Sequence, residues 1–471
     1  MTARIALTSV AALIAGALLA PDALAHGIVG REDLPIPRLL FAWAAVSVLV
    51  ISFVALAVLW PKPQFEDITE RDVTGIPRIL QFLAGLFGVV VFGVVVWAGF
   101  EGPQSVQANL APIFLYVVFW NLIPVLSLLF GDVFAAVNPW RAIGRAVSWV
   151  AQRVAPGRVP EVLPYPDRLG HWPAAITIFA FAAFELAVRP SIKEDPSWIA
   201  IFALLYMAVQ LVGMALYGVK SWTDHGDGFA VFFRFFASLS PLHWEEGRLR
   251  RRPPFAGAAG VRALAGTVAL LAVGIGSTSF DGMRENEWWT NFALDAQGVL
   301  GDVGIGASLA LEVIYTLGML AVVLLIGGLF MLGVRGMRSV DASQSERSLA
   351  RAFAPSLIPI ALAYLVAHYF SQIAYQGQAA AQLASDPAGK GWDLFGTASD
   401  TIDYTVVSAN GIWYVQVLAL VIGHVAGLVL AHDRALVMFK DPRDATRSQY
   451  WMLAVMVSFT SLGLWLLSAA G

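Results

Sequence analysis

The chain has 471 residues, 58% of them hydrophobic and only 13% charged, about half the charged share of a soluble domain. Its net charge of −3 gives no electrostatic basis for nucleic-acid binding, and the absence of cysteine excludes disulfides, thiolate metal sites and cysteine nucleophiles. This is the composition of an integral membrane protein.

Residues 1–25 carry Arg4, an apolar run from Ile5 to Ala20, and then Ala23-Leu24-Ala25. That order is the one a signal peptidase recognises, and cleavage there leaves His26 as the mature N-terminus. An uncleaved anchor is the alternative, but Pro21 and Asp22 would end it short of a comfortable span.

Apolar stretches of spanning length, about 17 to 25 residues, then fall near 38–60, 79–99, 111–131, 172–188, 197–218, 261–277, 306–333, 354–375, 411–431 and 450–468. The expected fold is therefore all-α: one transmembrane domain over 26–471, a bundle of about ten helices. With His26 outside, successive connections alternate between faces. All but a handful of the 30 Lys and Arg residues then lie in the cytoplasmic connections, which predicts the inner membrane of a bacterium with both mature termini outside.

Segment 139–154 mixes basic and apolar residues at helical spacing behind Asn138, a good N-cap, and reads as a helix on the inner surface. Segment 228–240 is aromatic but short and interrupted by Arg234, which predicts a re-entrant or interfacial element rather than another span. The long exported loops are expected at 278–303 and 376–410, with Trp288, Trp289 and Trp392 as interfacial anchors.

Ionisable groups inside hydrocarbon are costly and need a partner or a wet cavity. At 1.5 Å per residue, Glu185 lies about 5 Å from the outer end of its helix, Glu312 about 9 Å in and His368 about 10 Å in, so all three share one layer. Tyr315 and Thr316 follow Glu312 at helical spacing, and Tyr364, His368 and Gln372 recur four apart.

Two carboxylates and an imidazole form a candidate catalytic site and a candidate ligand set for a divalent metal, Zn²⁺ or Fe²⁺. The same set suits a proton relay in a transporter, or a hydrogen-bonded lock between helices. His26 adds a candidate copper site, because an N-terminal histidine chelates through its amine and ring; it lacks an evident second histidine on the same face.

His424 lies mid-membrane within Gly423-His424-Val425-Ala426-Gly427, whose small-residue spacing favours close helix packing. His432-Asp433-Arg434 reads as a charge cluster at the inner boundary. Asp224-His225-Gly226-Asp227 could hold a cation or pair with nearby arginines. No serine-hydrolase elbow, zincin or P-loop motif occurs.

Taken together, Ala25 to Arg31, Gly131 to Arg141, Gly228 to Phe233 with Ser240-Pro241-Leu242, and above all Gly423 to Arg434 resemble a bacterial multi-pass membrane family commonly named fenitrothion hydrolase. The resemblance runs from the signal peptide through the ninth helix. It implies cleavage of an organophosphate triester to a phenol and a dialkyl phosphate or thiophosphate, and it carries no catalytic residues with it. The expected partners are membrane lipid and an apolar small-molecule substrate. The competing class is a secondary transporter or metal-handling membrane protein built on the same Glu/His layer.

Overall fold

The computed structural model describes residues 38–469, except 67, 158, 159, 246 and 440. The expected signal peptide and His26 lie outside these residues. In chain order, helix α1 (Arg38–Leu59) leads to strand β1 (Arg71–Gly75), α2 (Arg78–Glu101) and α3 (Leu110–Phe130). The short α4 (Val133–Val137) and the amphipathic α5 (Pro139–Val154) precede α6 (Trp172–Leu186) and α7 (Pro196–Tyr217). Helices α8 (Val219–His225) and α9 (Gly228–Ala237) are followed by the hairpin β2 (Leu242–Glu245) and β3 (Arg248–Arg251). The remainder is helical: α10 (Thr267–Arg284), α11 (Glu287–Asp302), α12 (Ala307–Arg338), α13 (Glu346–Phe353), α14 (Ile358–Ser385), α15 (Ala409–Met438) and α16 (Pro442–Ala469).

Among the described residues, six helical segments are long and apolar enough to cross a membrane: α2, α3, α7, α12, the continuous α13–α14 segment and α15. Their outward faces stay apolar, as with Phe82, Phe87, Leu317 and Leu324, all exposed. Side chains of this kind tolerate exposure when lipid, not water, is the surrounding solvent.

Helix α10 is the axis of the fold. It is buried almost continuously from Leu270 to Gly282 and packs against α6, α12 and α14. The sequence reading ended this helix near 277; the structure carries it to Arg284. Its Thr278 and Ser279 hydroxyls donate to the Gly274 and Ile275 carbonyls of the preceding turn, satisfying their own polarity and letting the helix continue buried.

Helices α14 and α15 form the closest helix pair. A Cβ on Gly423 would stand 2.2 Å from Ala363 Cβ and 2.7 Å from the Pro359 carbonyl, and one on Gly427 would stand 2.9 Å from the Ser356 carbonyl. The G-x-x-x-G spacing thus does what its geometry anticipates. His424, between the two glycines, is buried and its Nδ1 lies 2.7 Å from the Leu420 carbonyl.

Connections that strict alternation assigns to one face do touch each other. At one end, β1 pairs antiparallel with β3 and β3 with β2, a small sheet that the all-α expectation did not include. Arg248 and Arg250 of β3 reach Asp72 of β1 at 2.7 and 3.1 Å, so cross-strand charge pairs rather than apolar residues select the register. At the same end Asp433 accepts from Trp60 Nε1 at 3.0 Å and from the Phe65 amide at 3.3 Å. At the other end Trp97 stacks on Trp392 and Arg189 pairs with Glu312.

Helix α9, in the segment expected to be re-entrant or interfacial, is ten residues long and buried on nearly all sides. Asp227 caps it, accepting from the Ala230 amide, Tyr206 Oη, Asn138 Nδ2 and Trp140 Nε1. The Asn138-Pro139-Trp140 and Asp227-Gly228-Phe229 segments, far apart in sequence, are therefore one structural unit.

Candidate functional site

The sequence-expected residues do not assemble as a trio. Glu312, on α12, is taken up by Arg189: its Oε1 stands 2.6 Å from Arg189 Nε and its Oε2 3.2 Å from Nη2. This fork is a charge-assisted clamp between α12 and the turn after α6. It holds Arg189 protonated through the hydrogen bond and the charge of Glu312.

His368, on α14, turns instead to α10. Its Nε2 lies 2.8 Å from Asp281 Oδ2, and the Tyr369 hydroxyl donates to the same oxygen at 3.0 Å. Asp281 Oδ1 is 2.8 Å from Arg284 Nε, one turn along α10. The Arg284 Nη1 donates in turn to the Leu186 carbonyl at 2.9 Å, which ties the carboxyl end of α6 to the cluster.

Glu185, on α6, joins the same cluster from the other side, within Coulombic reach of Asp281, Arg284 and Lys193. Lys193 Nζ donates to the Glu185 carbonyl at 2.9 Å, and Tyr116 Oη of α3 donates to the Lys193 carbonyl at 2.7 Å. Burial holds the Lys193 ammonium below its ordinary value, as expected of a cation taken from water.

Helix α3 closes this side through an irregularity. From Ile113 to Leu122 its backbone runs in the wider i→i+5 pattern, and the Ile123 amide donates to the Val118 carbonyl. Pro124 follows; it has no amide hydrogen and its ring crowds the carbonyl four residues back, a conflict that a widened turn relieves. The result places Asn121 Nδ2 2.8 Å from Gln372 Oε1, one turn beyond His368.

The site is thus centred on a residue the sequence reading missed. Glu185 and His368 converge on Asp281, while Glu312 is committed to Arg189. Among the described residues no three His, Asp or Glu side chains gather as a metal-binding group, so the donor set does not fit a Zn²⁺ or Fe²⁺ ion held by Glu185, Glu312 and His368. The copper alternative at His26 lies outside the described residues. A signal for Asp281 was present: Asp281 and Arg284 stand three apart, in phase with the apolar helix that precedes them.

Chemically the arrangement is an oriented acid–base pair. An ionised Asp281 accepts Nε2–H, which leaves His368 Nδ1 with the lone pair. His368 retains 26% side-chain exposure against 10% for Asp281, so the basic nitrogen belongs to the more accessible member. Arg284 and Tyr369 bind the carboxylate and keep its charge in place.

Along α10 the cluster is separated from the opposite end by an aromatic wall. Trp120 contacts Phe181 at 4.8 Å and Phe232 at 5.8 Å, and Phe181 contacts Phe229 at 5.2 Å. Phe232 fills the space left by Gly274, where a Cβ would come within 2.5 Å of its ring. No protein-family model, curated protein or solved structure matches the chain, so the functional reading rests on these contacts.

Proposed function

We propose that the chain is a multi-pass bacterial inner-membrane hydrolase, with ten spans following a cleaved signal peptide and both mature termini outside. Its outer-leaflet Asp281–His368 pair performs acid–base chemistry on an apolar ester that partitions from lipid. The six apolar segments and the same-end contacts of alternate connections support the membrane reading. The observation that carries the chemistry is the 2.8 Å contact between Asp281 and His368.

The substrate class follows the sequence resemblance: an aryl dialkyl phosphate or thiophosphate. His368 Nδ1 takes a proton from water as the water oxygen bonds to phosphorus, and the bond from phosphorus to the aryl oxygen breaks in line. The phenolate leaves and takes up a proton, directly or from the imidazolium. Asp281 fixes the imidazole orientation and stabilises the imidazolium that forms, the role of the carboxylate in histidine-based triads.

Gradient-driven transport is the competing reading, since Glu185, Asp281, Arg284 and His368 also make a relay. The packed rings of Trp120, Phe181, Phe229 and Phe232 between the two ends of α10 favour chemistry reached from one face. The test uses purified full-length protein in proteoliposomes with an aryl phosphotriester. Phenolate release without dependence on a proton gradient supports the hydrolase; gradient-dependent solute uptake with no ester turnover replaces it with the transporter.

A further inference from the structure

At the sheet-bearing end of the bundle lies an open cavity of about 950 Å³, lined by α5, α8, α9 and β2. It is far from the Asp281 cluster: Thr267, whose hydroxyl contacts His171 of the cavity lining at 2.9 Å, is fourteen residues before Asp281 on α10, about 21 Å along the axis.

The acidic groups of the lining are already engaged. Asp132 and Asp224 pair with Arg234 at 3.2 and 2.9 Å, Asp224 also with Lys220 at 3.2 Å, and Glu70 with His243 and Arg252. Three arginines of the lining, Arg141, Arg145 and Arg262, enter no ion pair among the described residues. Arg141 and Arg145 stand four apart on α5, hence on one face, and both line the cavity.

Among the described residues no carboxylate forms an ion pair with either arginine. Arg141 spends one Nη on the Ala135 carbonyl at 2.7 Å, and its Nε is buried with no hydrogen-bond partner. Burial, with Arg145 and Arg234 close by, lowers Arg141 to about 10. Burial, with His225 and Arg234, lowers His171 to about 4. Asp132 and Asp224 offset part of the lowering at Arg141, and the lining as a whole carries six Lys or Arg against five Asp or Glu. A phosphate offers the acceptor oxygens that adjacent guanidinium groups bind best. Phe65 and Phe235 give the same cavity an apolar side.

We propose that this cavity is a binding site for a phosphate-bearing anion, with the phosphate seated on Arg141 and Arg145 and the rest of the molecule against Phe65 and Phe235. The phosphate belongs either to a soluble phosphoester or to the headgroup of an anionic phospholipid reaching in from the adjacent leaflet. The site is independent of the ester chemistry at Asp281.

The test is thermal unfolding and binding of full-length protein with inorganic phosphate, against chloride at matched ionic strength. Near saturation, phosphate raises the wild-type midpoint by about 3 °C. The Arg141→Gln/Arg145→Gln double variant binds at least about tenfold more weakly. Arg145 is exposed, so Arg145→Gln alone is a second variant that leaves the fold intact, and it also binds more weakly. Arg153→Gln binds as wild type, since Arg153 lies on the same helix, outside the cavity lining and stacked on Trp149.

Repeating the titration in phosphatidylcholine nanodiscs with and without phosphatidic acid separates the sources. Competition by phosphatidic acid assigns a headgroup; unchanged phosphate binding assigns a soluble ligand. No response to phosphate and none to phosphatidic acid, or wild-type affinity in both arginine variants, overturns the proposal.

Discussion

Asp281 on α10 and His368 on α14 meet at 2.8 Å, a contact between helices whose paired residues lie 87 positions apart in the chain. Asp281 has two further constraints: Arg284 pairs with its far oxygen, and Tyr369, next to His368 in sequence, donates to the near one. A carboxylate tied at both oxygens keeps its geometry while the imidazole changes protonation state.

The absence of cysteine gives a clean background for testing orientation. Ser343, between α12 and α13, and Ser399, between α14 and α15, are both exposed and are assigned to opposite faces. In intact spheroplasts a membrane-impermeant maleimide labels Ser399→Cys and leaves Ser343→Cys unlabelled until the membrane is permeabilised. The reverse pattern inverts the topology and places the Asp281 cluster towards the cytoplasm.

The contact of α14 with α15 depends on two missing methyl groups. Gly423→Ala forces a Cβ against Ala363 and the Pro359 carbonyl, backbone and short side chain that cannot swing away. The expected loss is about 1–3 kcal/mol, read as a lower thermal midpoint in detergent. Gly328→Ala on α12, with open space around its Cβ position, leaves the midpoint unchanged or slightly higher.

Removing the α9 cap is costlier. Asp227→Ala leaves the Asn138, Trp140 and Tyr206 donors buried and unsatisfied, with an expected loss of roughly 3 kcal/mol or more. Asp224→Ala, at a partly exposed ion pair, costs less than about 1 kcal/mol. Equal effects of the two substitutions would show that the cap does not organise this end.

Stability falls on the acid side for a reason visible at the cavity. His171 is buried, and its folded pKa is lowered to about 4 from 6.5. The unfolded chain therefore takes up the proton first. The stabilisation is complete above 6.5 and is lost as pH drops from 6.5 towards 4, on the order of 3 kcal/mol. Glu70 acts in the same sense lower down: burial works against its ionised form, but His243, Arg252 and Arg250 outweigh it and lower its pKa. Thermal midpoints between pH 7.5 and 4 check this, with His171→Gln flattening the upper part of the decline.

Long apolar runs made most of the bundle legible. Helices α2, α12 and α15 begin, and α1 ends, within a residue or two of where the sequence places them, because nothing but lipid-facing packing accounts for such runs. Glu185, Glu312 and His368 stood out for the same reason. Asp281 did not, because Ser277-Thr278-Ser279 interrupts the hydropathy signal and made the last turns of α10 look like loop. Their side chains bond within their own helix, a compensation invisible to a hydropathy count. The engagement of Glu312 by Arg189 and the β1–β3 pairing were illegible on other grounds: both join segments more than a hundred residues apart through charge, which composition records without saying who meets whom.

The most direct measurement is aryl phosphotriester turnover by purified wild type, Asp281→Asn, His368→Ala and Glu312→Gln under one set of conditions, with folding checked by thermal midpoint. The account predicts that the first two substitutions each lower kcat/KM by at least about 100-fold while Glu312→Gln stays within a few-fold of wild type. Wild-type turnover in Asp281→Asn and His368→Ala, or no turnover by the wild-type protein itself, contradicts it.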